Sequence, residues 1–258
     1  MDKAIRNIVI IGAGNVGTHL GRALSQAGLN ICQVAGWREQ AVQALASELG
    51  TGHTTSMHEV RKGCDLYIMA LPDQIIESIL PELGLTDELL VHTSGSIPLG
   101  ILSPYSANTG VLYPLQTFSR KRNIDLREVP FLIEASSPAN GKLLLDLAGR
   151  ISRRVSLADS GQRQALHIAA VFACNFTNRM YDIARRIMEE YGLDFSLLVP
   201  LIRETAAKAT EIGPAGSQTG PAYRRDMKII EKHLDILAGH PGILEIYRDI
   251  TNNILDES

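Results

Sequence analysis

The sequence predicts an α/β domain, with helices covering both faces of a parallel sheet, followed by an all-α domain. Three observations carry this. Short β-branched runs alternate with stretches of helical spacing through the first 155 residues, as in strands joined by crossover helices. A glycine-rich turn, "GAGNVG", separates the first strand-like run from the first helical one. Between residues 159 and 190 glycine and proline are absent apart from Gly161, and apolar residues recur at helical spacing. The expected domains are 1–155 and 156–258.

The elements follow in order. "NIVIIG" reads as a strand and residues 16–27 as an amphipathic helix. "NICQVAG" is a second strand, and "EQAVQALASELG" a helix stopped by Gly50. "DLYIMALP" and "ELLVHTSG" are further strands, and "GVLYP" and "VPFLIE" add two more. Asp159 with Gln162 three residues later has the form of a capping box opening the long helix. Helical stretches around 195–211, 224–238 and 242–255 complete the second domain.

Composition narrows the function. With 45% hydrophobic and 21% charged residues, the 258-residue chain can fill a real core. A net charge of -3, both signs interspersed, offers no attraction to nucleic acid or to an anionic membrane. The amino-terminal "MDKAIRN" lacks a signal-peptide pattern, and the apolar run "ALHIAAVFAC" is too short to span a bilayer. Cys32, Cys64 and Cys174 are scattered, which suits a reducing compartment rather than a disulfide framework. A cytoplasmic protein acting on a small molecule is expected. His53 and His58 form no metal-ligand set with a second cluster.

Gly12, Gly14 and Gly17 have the G-x-G-x-x-G spacing, with a strand before them and a helix after. In a Rossmann-type fold the first glycine makes the tight turn, the second admits a pyrophosphate, and the third packs helix on sheet. The amides of Asn15 and Val16 then face the phosphates at the helix amino end. The second strand ends in Ala35, Gly36, Trp37 and Arg38. An NAD-preferring site carries a carboxylate there for the ribose 2′-hydroxyl, which would repel the 2′-phosphate of NADP. Gly36 removes that group, Arg38 offers a planar charged fork, and Trp37 can flank the adenine. NADP, with NADPH preferred over NADH, is the expected cofactor. The alternative is a solvated helix start at Arg38, with Glu39 weakening the field.

Leu71, Pro72 and Gln74 follow a strand end, where a cofactor lies in such folds. Thr93 and Ser94, in "HTSGS", can hydrogen-bond a substrate carboxylate or carbonyl, or form an ordinary turn. The loop is not a G-x-S-x-G nucleophile elbow. On the long helix His167 and Asn175 are eight apart, about 80° around an α-helix. They interrupt an apolar stripe, either as proton donor and positioning group or as satisfied core polar groups. "GPAGSQTGPAYRRD" is a glycine- and proline-rich connection. There Arg224, Arg225 and Asp226 open the next helix, where one arginine can reach an anionic substrate or the residues form a solvated helix start or an intersubunit ion pair.

"IGAGNVGTHL", "ALPDQ", "HTSGS", "YPLQTF", "HIAAVFACNF" and "TGPAYRRD" together resemble a family of NADP-dependent oxidoreductases. Its members join a Rossmann-like domain to a helical domain without assigned function, similar to the 6-phosphogluconate dehydrogenase C-terminal domain. Wider kin are pyrroline-5-carboxylate reductases, ketopantoate reductases, β-hydroxyacid dehydrogenases and deazaflavin-dependent NADP reductases. The resemblance implies a homodimer held by the helical domains and an active site between domains. Hydroxyacid dehydrogenases and ketopantoate reductases of this kind carry a catalytic lysine four residues before an asparagine. Here Val171 stands four before Asn175, so the lysine mechanism does not carry over and His167 is the candidate replacement. The expected reaction is hydride transfer between NADP(H) and a small, carboxylated carbonyl or imine compound. The alternative is a cofactor-binding sensor or scaffold without turnover.

Overall fold

The computed structural model describes residues 4–120 and 122–257. Met1–Lys3 of the amino-terminal stretch, Lys121 and Ser258 lie outside the described residues. Two compact units divide the chain between Cys174 and Asn175, later than the composition change near residue 156.

The first unit is built on β1 (Asn7–Ile11), β2 (Asn30–Ala35), β3 (Gly52–Thr54), β4 (Leu66–Met69), β5 (Leu89–His92), β6 (Thr109–Pro114), β7 (Phe131–Ala135) and β8 (Val155–Leu157). They form an eight-stranded sheet in the order β3-β2-β1-β4-β5-β6-β7-β8. β1 to β6 are parallel, whereas β7 runs antiparallel to β6 and β8 parallel to β7. The sheet is therefore mostly parallel. Its reversed edge was not evident in "VPFLIE", because strand direction is set by the path of the preceding connection.

The helices of this unit are α1 (Asn15–Gln26), α2 (Glu39–Leu49), α3 (Asp73–Leu83), α4 (Pro138–Gly149) and α5 (Ser160–Ala170). β1 shows why its run is continuously apolar. Ile8 and Ile10 enter the cluster under α1, α2 and α4, while Val9 and Ile11 enter the opposite cluster, under α3. All four are 0% exposed. A central parallel strand is buried on both faces, so it does not alternate.

β3 and β8 escaped the sequence reading because three residues are too few to show a period. α3 contains Pro81 near its end, which masked its pattern. α4 did carry a signal: Ser137 caps it by accepting from the Asn140 amide, and Pro138 occupies the first turn. The capping box at Asp159 and Gln162 forms as expected.

The helical run that begins with α5 continues as a π-helix, Val171–Phe176, and then as α6 (Thr177–Glu190). The α-helical period used to place His167 and Asn175 on one face does not hold through this widened turn. The second unit contains α6, α7 (Val199–Glu211), the short α8 (Pro214–Ser217), α9 (Met227–Ile236) and α10 (Pro241–Glu257). Ile183, Ile230 and Leu237 are buried within it, while Leu193, Leu197, Leu201 and Ile212 are exposed. In "TGPAYRRD", Asp226 caps α9 by accepting from the Ile229 amide, and Arg225 donates to the Leu255 carbonyl 3.0 Å away.

Candidate functional site

A groove of about 980 Å³ runs along the carboxyl ends of the parallel strands. It lies wholly within the first unit. β2 and β4 flank β1 on opposite sides, which makes this the point where strand order reverses and where ligands bind in open α/β sheets.

The floor at one end is the glycine turn. Gly12 has φ +109°, and a methyl group there would overlap the Ala70 carbonyl of β4's loop. A methyl on Gly17 would overlap the Gly12 carbonyl, so α1 can approach β1 only with glycine at that place. At Gly14 the nearest atom to such a methyl is 4.0 Å away, so the space before it is open. Gly14 is also the α1 N-cap, with no side-chain cap and no acidic residue in the first turn. The first-turn amides of α1 and its partial positive charge are thus available to an anion. This cradle fits a pyrophosphate.

Gly12, Gly14, Asn15, Val16, Trp37, Arg38, Leu71 and Pro72 all line the groove. Gly17 lies beneath it, buried, as a packing residue. Gln74 falls in the first turn of α3 and is exposed, whereas its neighbour Asp73 lines the groove. At the end of β2 no carboxylate follows Ala35. Glu39 is held by His53, Nε2 to Oε1 2.9 Å, and no described acidic side chain pairs with Arg38.

The other end holds Thr93, Ser94, Gly95, Ser96, Tyr113 and His167. The Ser94 hydroxyl oxygen accepts from the amides of Ser96 (3.0 Å) and Ile97 (3.1 Å), fixing the turn and keeping its own hydrogen to donate. Tyr113 on β6 and His167 on α5 meet at 3.0 Å, Oη to Nδ1, with their rings edge to face. Burial pushes the Tyr113 phenol up, against a downward pull from Arg163, so it stays protonated at neutral pH. Gly95 makes the pair possible, since a methyl on it would lie 2.7 Å from His167 Nδ1 and 2.8 Å from Tyr113 Cζ. Asn175, expected to work beside His167, opens the second unit and is exposed.

Arg163 supports this end from below. It is fully buried and donates to the Ile97 carbonyl at 2.8 Å, and to those of Ser94 and Gly95 at 3.5 Å. Its other terminal nitrogen reaches Glu134 at 2.7 Å and the Ser160 hydroxyl at 3.1 Å. Burial lowers its pKa, which the Glu134 carboxylate opposes. Arg163 did not stand out in the sequence, and Tyr113 entered only within "GVLYP" and "YPLQTF", with no role of its own. An arginine on the inner face of a half-apolar helix and a tyrosine ending a strand are ordinary patterns, and only their convergence marks them.

His92, at the end of β5, is also fully buried, and its Nδ1 accepts from the Ser94 amide at 3.2 Å. Burial first, and then the charge of Arg163, push it down to about 3 from 6.5. Its folded pKa is depressed, so the unfolded chain binds the extra proton between pH 6.5 and 3. The stability it contributes is present above pH 6.5 and is lost as pH falls through that window. Between pH 7 and 5 this loss is about 2 kcal/mol, at ~1.4 kcal/mol per pH unit. We expect urea unfolding at the two pH values to show this decrement in the wild type and to lack it in His92→Asn, whose amide oxygen can still accept from Ser94. Equal slopes in both proteins would refute the assignment.

Among the described residues, no helix is long and apolar enough to cross a membrane. Residues 1–117 match the Rossmann-like domain family, and residues 129–254 match the Domain of unknown function (DUF2520). A comparison with curated proteins gives no match. Among solved structures, a provisionally named NADP oxidoreductase from Bacteroides fragilis is 41% identical, with a TM-score of 0.92 over 98% of both chains. An imine reductase from Myxococcus stipitatus, solved with NADP+, is 16% identical, with a TM-score of 0.71 over 98% of this chain and 95% of its own. A 1-pyrroline-5-carboxylate reductase from Streptococcus pyogenes is 12% identical, with a TM-score of 0.63 over 97% and 98%. The latter two establish likeness of fold alone. With the glycine cradle in place and the first of these structures matched end to end, the chain belongs to the family, shared with the Bacteroides protein, that joins a Rossmann-like domain to a DUF2520 domain.

Proposed function

We propose that this protein is an NADP(H)-dependent oxidoreductase that reduces a small, carboxylated carbonyl or imine compound. One observation carries the reading: a single groove connects the glycine cradle, the carboxylate-free end of β2 with Arg38, and the Tyr113–His167 pair. The Bacteroides fragilis relative, described as an NADP oxidoreductase, supports the same assignment. The bound cofactor supplies the hydride.

The chain's own residues supply position and proton. The first-turn amides of α1 would hold the pyrophosphate, Arg38 would meet the 2′-phosphate, and Trp37, 45% exposed, would flank the adenine. Leu71 and Pro72 line the wall between the two ends. The Tyr113 contact occupies Nδ1 of His167 and leaves Nε2 as the nitrogen that exchanges a proton. As imidazolium, His167 gives the Nε2 proton to the substrate oxygen or nitrogen, and the remaining Nδ1–H donates to the Tyr113 oxygen. The Ser94 hydroxyl, its oxygen already an acceptor for two amides, has its hydrogen left for a substrate carboxylate.

The test is a paired fluorescence titration of NADPH and NADH, followed by NADPH oxidation with a panel of cyclic imines and α-keto acids. NADPH should bind at least tenfold tighter, and Arg38→Ala should lose about tenfold of that preference, ~1.4 kcal/mol. Equal binding of the two cofactors would overturn the NADP assignment. Tight NADPH binding without turnover of any compound in the panel would favour a cofactor sensor or scaffold.

A further inference from the structure

We infer that Arg120, carried on the strap that follows β6, is a second determinant of 2′-phosphate recognition beside Arg38. The inference rests on the NADP reading above and names a residue that the glycine motif and the end of β2 do not contain.

After Pro114 ends β6, the chain turns back across the amino end of α1 instead of running directly to β7. Three contacts seat it there. Asn15 Nδ2 donates to the Phe118 carbonyl at 3.0 Å, and His19 Nε2 lies 3.1 Å from the Ser119 carbonyl. The rings of Phe118 and His19 pack with centroids 5.2 Å apart. The strap thus delivers the Arg120 guanidinium to the glycine turn itself, where it donates to the Ala13 carbonyl.

Arg120 lines the main groove and also an adjoining depression of about 640 Å³ between α1 and α2, and Arg38 lines both as well. Charge in the depression is otherwise spent. Glu48 forms a two-pronged pair with Arg22, at 2.6 and 2.8 Å, and Glu39 holds His53. Among the described residues no carboxylate pairs with Arg38 or Arg120. Two guanidinium groups therefore flank the opening beside the end of β2, where the ribose 2′ oxygen lies in this fold. A phosphate dianion is a stronger acceptor than the Ala13 carbonyl, and the planar fork of arginine suits it. The pyrophosphate has its own donors in the first-turn amides of α1.

The experiment measures NADPH and NADH dissociation constants by fluorescence for the wild type, Arg120→Gln and Arg120→Lys, with Arg38→Ala alongside. Arg120→Gln should weaken NADPH by about tenfold or more while NADH changes by less than about threefold. Arg120→Lys should keep part of the preference, because it retains the charge without the fork. Equal weakening of both cofactors would overturn the inference and make Arg120 a pyrophosphate or loop residue. No change in either would reduce it to a strut for the glycine turn. If Arg120→Gln fails to fold, a fully retained NADPH preference in Arg120→Lys overturns the inference and a partial loss supports it. Failure of the wild type to prefer NADPH would instead defeat the cofactor reading, and the Arg120 assignment with it.

Discussion

Replacing Arg163 with methionine destabilises the first unit by about 3–5 kcal/mol, the cost of removing one partner from a buried ion pair. The guanidinium is fully buried and links Glu134 on β7, Ser160 on α5 and the carbonyls of Ser94, Gly95 and Ile97. Without it, the Glu134 carboxylate keeps only the Ser160 hydroxyl among these partners, and the carbonyls of Ser94, Gly95 and Ile97 lose their Arg163 donor. A melting temperature lower by roughly 10 °C follows for a unit of this size. Arg163→Lys should recover little, since one ammonium cannot span both Ile97 and Glu134. Arg163→Met combined with Glu134→Leu should be more stable than Arg163→Met alone, because no unpaired charge remains. A cost below about 1 kcal/mol for Arg163→Met would show that the turn is held by other means.

His167→Gln should slow turnover by a factor of about 10²–10⁴, the range for loss of a positioned general acid. The NADPH dissociation constant should stay within about threefold of the wild type, because His167 lies at the end of the groove away from Arg38. Tyr113→Phe removes the hydroxyl that engages Nδ1 and should show a smaller loss in kcat, again with cofactor binding intact. The measurement is steady-state NADPH oxidation with whichever panel compound the wild type turns over, together with the binding titration. Wild-type kcat in His167→Gln would remove the histidine from the chemistry, and joint loss of kcat and binding would make it a structural residue.

Much of the fold was legible in local pattern. The glycine spacing, the apolar strand runs and the capping box at Asp159 act over short stretches, so their physics is contained in a few neighbouring residues. "NIVII" is apolar at every place but one and could be read as a doubly buried strand without any partner in view. β3 and β8 could not be read this way, because each is held by its neighbour strand more than by its own composition. The site was legible to a lesser degree. Gly12, Gly14, Trp37, Arg38 and His167 were singled out by residue type and spacing, and the groove contains all of them.

By itself the sequence determined the longer strands of the first unit with α1, α2 and α5, the glycine turn, and the absence of a carboxylate after Ala35, because each is a property of adjacent residues. Tertiary structure alone decided which distant residues meet. Tyr113 reaches His167 across 54 positions, Arg163 reaches the Ser94 carbonyl across 69, and Arg120 reaches the Ala13 carbonyl across 107. Such pairings depend on how β6, α5 and the strap converge on the carboxyl edge of the sheet. No local period encodes that convergence.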